Sequence, residues 1–193
     1  CDEIYGLHNA PNLDPGQISV FPGAAMAGAD FFDIRITGKG SHGAMPHMGR
    51  DPVMAAMSLA AALQTIVSRN ADPREAAVLS ITQIHAGSAY NVIPEEAVLA
   101  GTIRTFTEET GELVRQRMRE IAAGTAATFG VSIDVDIRNI FNVLVNHDIP
   151  AQAMAEVAAE IVGTPNVLTE PKAMMGSEDF ADMLRVVPGA YAW

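Results

Sequence analysis

Between residues 30 and 137 the apolar positions keep two rhythms. Phe32, Ile34 and Ile36 alternate with Asp33, Arg35 and Thr37, the period of a half-buried strand over 30–37. Asp51-Pro52 then opens a helical run over 52–69, with Asp able to cap and Pro suited to the first turn. Ala56, Leu59, Leu63, Ile66 and Val67 fall at helical spacing and form its core-facing stripe. Residues 78–85 and 97–106 read as two strands joined by a shaped loop at 86–94. Thr107 is placed to cap a second helix, with Val114, Met118, Ile121, Ala122, Thr125 and Phe129 as its inner face. Arg115, Arg119 and Glu120 lie away from that face, and Gly130 ends the helix. Val131, Ile133, Val135 and Ile137 alternate with polar residues as a fourth strand. Strand-helix-strand-strand-helix-strand is the split βαβ order of a ferredoxin-like α+β domain.

The flanks differ. Residues 1–29 are rich in Pro and Gly, with Ile4, Tyr5 and Leu7 as a short strand that delivers His8 at its end. In residues 143–193, Asp148 and Pro150 start a helix with Met154, Val157, Ala158, Ile161 and Val162 expected inside, and Gly163 stops it. Ser177 is expected to cap a last short helix, with Glu178 and Asp179 in its first turn and Phe180, Met183 and Leu184 inward. Neither flank has a core of its own. The expected organisation is therefore a domain at 30–142 inserted into one built from 1–29 and 143–193. Both termini read as cut, since the chain opens on Cys1-Asp2-Glu3 and closes inside the apolar run at 189–193.

Composition narrows the function classes. With 49% hydrophobic and 18% charged residues, a packed globular chain is expected rather than a disordered one. Acidic residues outnumber basic ones 23 to 12, a net charge of -11, which argues against nucleic acid or an anionic membrane as partner. A ferredoxin-like nucleic-acid binder would also want a basic sheet around its aromatics, and this chain is acidic. No apolar run approaches the ~20 residues needed to span a bilayer. Cys1 is the only cysteine, so no internal disulfide forms and a cytoplasmic setting is expected.

Candidate chemistry concentrates in the loop at 38–52, GKGSHGAMPHMGRDP. Four glycines and two prolines shape a connection between strand and helix that carries Ser41, His42 and His47. This run resembles the lid-domain signature of the M20 metallopeptidase and amidohydrolase family, within it the branch that hydrolyses N-acyl amino acids, including hippurate and auxin conjugates. YGLHNAP at 5–11, AYNVIPEEA at 89–97 with GTIRTF at 101–106, and MMGSEDFADML at 174–184 agree with it in the same order. The resemblance covers essentially the whole chain. It implies a dimerising lid inserted into a zinc-peptidase-like α/β domain.

What the resemblance implies for the site is specific. His8 matches a metal-ligand position in a family that holds two divalent ions, zinc or manganese. The family's Cys-Gly-His segment, Glu pair and late histidine are not in this sequence, and Cys1 is followed by Asp-Glu. One imidazole does not hold a divalent ion tightly, so the 193 residues alone are expected to be inactive. His42 matches the histidine that reaches across a homodimer to steady the oxyanion in the neighbouring active site, while His47 braces the loop. Asn91 and Arg104 match positions that contact the substrate carboxylate or carbonyl. For Arg104, a solvent-facing residue paired with an acid fits a strand position equally well. Gly176 and Ser177 line the substrate pocket at a helix start, where free N–H groups bind anions, or form an ordinary capped start. Glu178 and Asp179 answer the helix dipole, and His85 and His147 are structural. Two functions remain: a metal-dependent amidohydrolase of N-acyl amino acids, or a non-catalytic dimerisation or ligand-binding module.

Overall fold

The computed structural model describes residues 1–170 and 173–193. In chain order the elements are β1 (Ile4–Leu7), β2 (Ile18–Ser19), β3 (Gly23–Met26), β4 (Gly28–Thr37), β5 (Ser41–His42) and α1 (Pro52–Thr65). There follow β6 (Ala77–Ala86), β7 (Val92–Ile93), β8 (Glu96–Thr105), α2 (Glu108–Phe129), β9 (Ser132–Phe141) and β10 (Leu144–Asn146). The last are α3 (Asp148–Val162), β11 (Val167–Leu168), α4 (Phe180–Leu184) and β12 (Gly189–Ala192). Two compact units result, Ala29–Ile140 and the pair of segments Cys1–Gly28 and Phe141–Trp193.

The unit at Ala29–Ile140 is a four-stranded sheet in the order β6-β8-β4-β9, with β6 and β8 antiparallel. This is the ferredoxin-like βαββαβ arrangement. Phe32, Ile34 and Ile36 from β4, Leu99 and Ile103 from β8, Leu59 and Leu63 from α1, and Val114 and Met118 from α2 make one buried core. The opposite sheet face is solvated and laced with ion pairs, Arg35 to Glu96 and Arg138 to Asp33.

The local signals act as their chemistry suggests. Asp51 Oδ1 accepts from the N–H groups of Val53 (2.8 Å) and Met54 (3.2 Å), and Thr107 Oγ1 accepts from Thr110 N–H at 3.2 Å. Gly130 closes α2 in the left-handed region, φ 63°. The first helical run ends in a π-turn, Ile66–Asn70. Arg115 departs from its expected place away from the core. Its guanidinium reaches round to Asp30 Oδ2 at 2.9 Å, with the Asp30 side chain only 4% exposed, and Asn139 Nδ2 donates to the other Asp30 oxygen at 2.9 Å. A long side chain lets a residue off the inner face close a buried charge.

The second unit is built of short pairs: β1 with β12 and β2 with β11, both parallel, and β3 with β10 antiparallel. Phe21, Tyr191, Trp193 and Leu184 form one small core, and Val20, Ala151, Ala190 and Ala192 another under α3. Asn146, 1% exposed, ties it together: its Nδ2 donates to the carbonyls of Phe21 and Tyr191, and its Oδ1 accepts from Tyr191 N–H at 2.7 Å. Three expectations fail here. Val157 and Ile161 on α3 are 56% and 73% exposed, because the helix buries Pro150, Ala151 and Ala158 instead. Met183 is also exposed. Ser177 does not cap α4, which begins at Phe180 with Asp179 at the cap position.

Candidate active site

The loop at 38–52 is held by close backbone contact. Lys39 and Arg50 exchange both N–H···O bonds at 2.9 Å, and Gly38 N–H donates to Glu95 O at 2.8 Å. A Cβ on Gly38 would lie 2.1 Å from Arg50 O, and one on Gly49 would lie 2.7 Å from Lys39 O, so only glycine fits at either place. Beyond this clasp, β5 pairs with β7, setting His42 opposite Val92, and Gly43 N–H donates to Asn91 O at 2.7 Å. Two candidates 49 positions apart, His42 and Asn91, thus become neighbours at one end of the unit.

The hydrogen bonds of His42 identify its tautomer. Ala44 N–H donates to His42 Nδ1 at 3.1 Å, so Nδ1 carries the lone pair and the neutral ring has its proton on Nε2. The ring is exposed, and Nε2–H is therefore a donor held in fixed orientation by its own loop. His47, in the 3-10 turn Pro46–Met48, is exposed and makes no hydrogen bond to the described residues, so the expected bracing role fails. Ser41 Oγ is buried without a hydrogen-bond partner among the described residues, packed against Gly49.

Arg104 lies elsewhere. It sits near the C-terminal end of β8, opposite Val78, with its guanidinium 5.8 Å from the centroid of the Phe31 ring. At a rise of about 3.3 Å per residue, the length of β8 puts it roughly 26 Å from the end where His42 and Asn91 meet. Within one chain these three residues do not form one site.

His8 follows β1, its N–H bonded to Ala192 O at 3.1 Å. Its Nδ1 lies 2.7 Å from Asn9 O, and a carbonyl only accepts, so Nδ1 holds the proton and Nε2 presents a lone pair outward. That is the form of a metal-ligating imidazole steadied by a backbone carbonyl. No group of three or more His, Cys, Asp or Glu among the described residues is arranged to hold a metal ion. The imidazole suits a metal, but the described residues do not by themselves make a metal centre. Gly6, two residues before, is obligatory: a Cβ there would meet the Tyr191 ring at 2.5 Å.

Gly176 and Ser177 precede α4 by several residues, so no helix start presents its N–H groups at that turn, and the anion-binding expectation fails. Gly176 O instead accepts from Ala27 N–H at 3.0 Å. Nor do Glu178 and Asp179 occupy a first helical turn. Tyr191 Oη donates to Glu178 Oε2 at 2.8 Å. Burial pushes the Glu178 carboxyl up, but the bonds from Tyr191 and from the Asp179 side chain and backbone outweigh it and hold the group below its ordinary value. Asp179 is raised, chiefly by hydrogen bonding to Glu178 and by its charge. His85 pairs with Gln83 Oε1 at 3.2 Å, and His147 Nδ1 accepts from Gly189 N–H at 3.2 Å, both structural.

One feature had no signal in residue type or spacing. A cavity of about 420 Å³ opens beyond the C-terminal ends of β1 and β12, lined by Ala10, Asn12, Leu13, Ser19, Met174 and Trp193. The carboxyl ends of parallel strands are a common seat for ligands.

Comparison with known proteins places these features. Residues 25–128 match the family model of the peptidase dimerisation domain of M20 proteins. The chain is 41% identical over 193 residues to an N-acetyldiaminopimelate deacetylase of Streptococcus sanguinis, covering 100% of this chain and 51% of that protein. It is 35% identical over 192 residues to a hippurate hydrolase of Campylobacter jejuni, covering 100% of this chain and 50% of that protein. The crystal structure of a dinuclear metal-binding peptidase from Bacillus subtilis superimposes with a TM-score of 0.80 at 33% identity, covering 100% of this chain and 47% of that one. The chain spans about half the length of the curated relatives it matches.

Proposed function

The chain belongs to the M20 family of metallopeptidases and amidohydrolases, and on that premise we propose that it supplies the lid and part of the catalytic domain of a metal-dependent enzyme that hydrolyses the amide bond of an N-acyl amino acid. The observation that carries the reading is the His42 tautomer: a neutral imidazole with Nε2–H turned outward is the donor that a tetrahedral oxyanion needs. Asn91 stands beside it to hold the substrate carbonyl or carboxylate. Arg104 contributes a fork for a carboxylate, and the turn at Gly176 and Ser177 lines the pocket. His8 is one ligand of a site for two divalent ions, zinc or manganese, whose other ligands lie outside these residues. Such ions polarise the scissile carbonyl and activate water. Alone, the 193 residues are inactive.

His42 and Asn91 lie at one end of β8 and Arg104 at the other, which supports an active site assembled from two lids. A homodimer through the lid follows, and its surface can be argued from charge. β9 carries Asp134, Asp136 and Arg138, which blunt that edge, whereas β6, the other edge, has no Asp, Glu, Lys or Arg in ten residues. α1 is equally free of charge and exposes Met54 and Met57. We place the two-fold axis along β6 and α1. No helix of the described residues is long and apolar enough to cross a membrane, and a cytoplasmic enzyme is proposed. In the protein at its relatives' length, chelation should abolish hydrolysis of N-acetyl amino acids and divalent ions should restore it. Hydrolysis that survives removal of all bound metal would end this reading.

A further inference from the structure

Two phenylalanines open β4, and the sheet sends them to opposite sides. Phe32 belongs to the core, where a Cβ on Gly101 would lie 2.6 Å from its ring. Neighbouring side chains along a strand alternate, so Phe31 stands on the solvated face, 43% exposed. One exposed ring needs no explanation in itself. What singles out Phe31 is the cation beside it: the Arg104 guanidinium carbon lies 5.8 Å from the ring centroid, within cation–π reach. Val78 lies directly opposite Arg104 on β6 and shares that face. Since β8 runs between β6 and β4, Arg104 has an apolar residue beside it on each neighbouring strand.

The ring is firmly placed. Asp30, the residue before it, holds its carboxylate against the Arg115 guanidinium and the Asn139 amide, each at 2.9 Å. The Asp30 carbonyl accepts from Thr102 Oγ1 at 3.0 Å. Thr102 and Arg104 are alternate residues of β8 and therefore lie on one face. That bond ties the backbone at the foot of the Phe31 ring to the strand that carries the guanidinium.

We propose that Phe31 is a positioning residue for substrate binding, its ring holding the Arg104 guanidinium ready for the carboxylate of the N-acyl amino acid. The inference rests on reading Arg104 as the carboxylate contact. A free arginine side chain loses rotamer freedom when it binds, and a fork held beforehand loses less. An aromatic face suits the task. It attracts the cation through the ring quadrupole, occupies no N–H donor and cancels no charge, so the fork keeps both for the substrate. Apolar neighbours also displace water, which strengthens an ion pair formed there. The carboxylate is remote from the scissile amide and is held alike in ground and transition states. Loss of such uniform binding raises KM and leaves kcat in place.

The test uses the protein at its relatives' length, with an N-acetyl amino acid as substrate and its carboxamide, which lacks the anionic group, as competing inhibitor. Phe31→Leu should raise KM for the acid about three- to tenfold, with kcat and the inhibition constant of the carboxamide held within about twofold. Phe31→Tyr keeps the aromatic face and should keep KM within about twofold of wild type. An unchanged KM in Phe31→Leu overturns the proposal, as does a KM in Phe31→Tyr raised as far as in Phe31→Leu. A ring that serves only the fold would instead move kcat and both constants together, which also overturns it. Arg104→Gln separates the inference from its premise, since it should weaken the acid at least as much as Phe31→Leu and spare the carboxamide. If Arg104→Gln discriminates between the two ligands and Phe31→Leu does not, this inference alone falls. If Arg104→Gln treats them alike, the reading of Arg104 falls and takes the inference with it.

Discussion

Arg115→Met is the most informative perturbation of the lid's own stability. The Arg115 side chain is 16% exposed and meets three carboxylates. Two of them, Glu108 and Glu112, are 72% and 64% exposed, and pairs with such open partners contribute about 0–1 kcal/mol each. Asp30 is different. At 4% exposure its carboxylate keeps, among the described residues, only the Asn139 amide when the guanidinium is gone. An uncompensated buried charge costs roughly 3–5 kcal/mol, while methionine conserves most of the aliphatic contact. At about 3 °C per kcal/mol for a chain of this length, Tm should fall by roughly 9–15 °C. Urea titration of wild type, Arg115→Met, Asp30→Asn and the double variant would measure the coupling. The double variant should regain most of the loss, because no orphaned carboxylate remains. If Arg115→Met costs under about 1 kcal/mol, the pair behaves as a surface pair and the reasoning from burial is wrong.

Other expectations follow from single contacts. Tyr191→Phe removes the hydroxyl bonded to Glu178; because the folded-state pKa of that carboxylate is lowered, its stabilisation is present above the unfolded value and lost as pH falls through the folded one. The stability gap between wild type and Tyr191→Phe should therefore be present at neutral pH and close below about pH 4 in acid titration. Gly6→Ala forces the Tyr191 ring to move and should cost about 1–3 kcal/mol in denaturant unfolding. Met57→Glu, on the uncharged face of α1, should shift the full-length protein from dimer to monomer in analytical ultracentrifugation.

The lid was legible because each of its elements carries a strong local signal. Phe32, Ile34 and Ile36 alternate, Asp51 and Thr107 cap, and Gly130 stops a helix, with no need of distant partners. The other unit was legible only in part. On α3, periodicity marks Val157 and Ile161 as apolar but cannot say what covers them, and within these residues little does. Ser177 followed by Glu178 and Asp179 predicts a capped helix start, yet Glu178 bonds Tyr191 and α4 starts at Phe180. The helical wheel puts Arg115 away from the core, and the reach of its side chain to Asp30 overrides that. Of the site, the residues stand in recognisable strings, but their relations are tertiary. That His42 neighbours Asn91, and that Arg104 lies at the far end of the strand, follows from the pairing of β5 with β7 and the length of β8.

The central claim is that the lid histidine serves the partner's active site. In the full-length enzyme, His42→Ala should leave fold and metal content intact and lower kcat by about 10²–10³, the loss typical of one oxyanion donor. His8→Ala should remove activity through the metal site. In a heterodimer of the two variants, one site combines an intact His8 with the His42 of its partner, and the other has neither. Mixing equal amounts under conditions of proven subunit exchange should restore about a quarter of wild-type activity, one site of two in half of the dimers. If exchange is complete and no activity returns, His42 acts within its own chain or not at all.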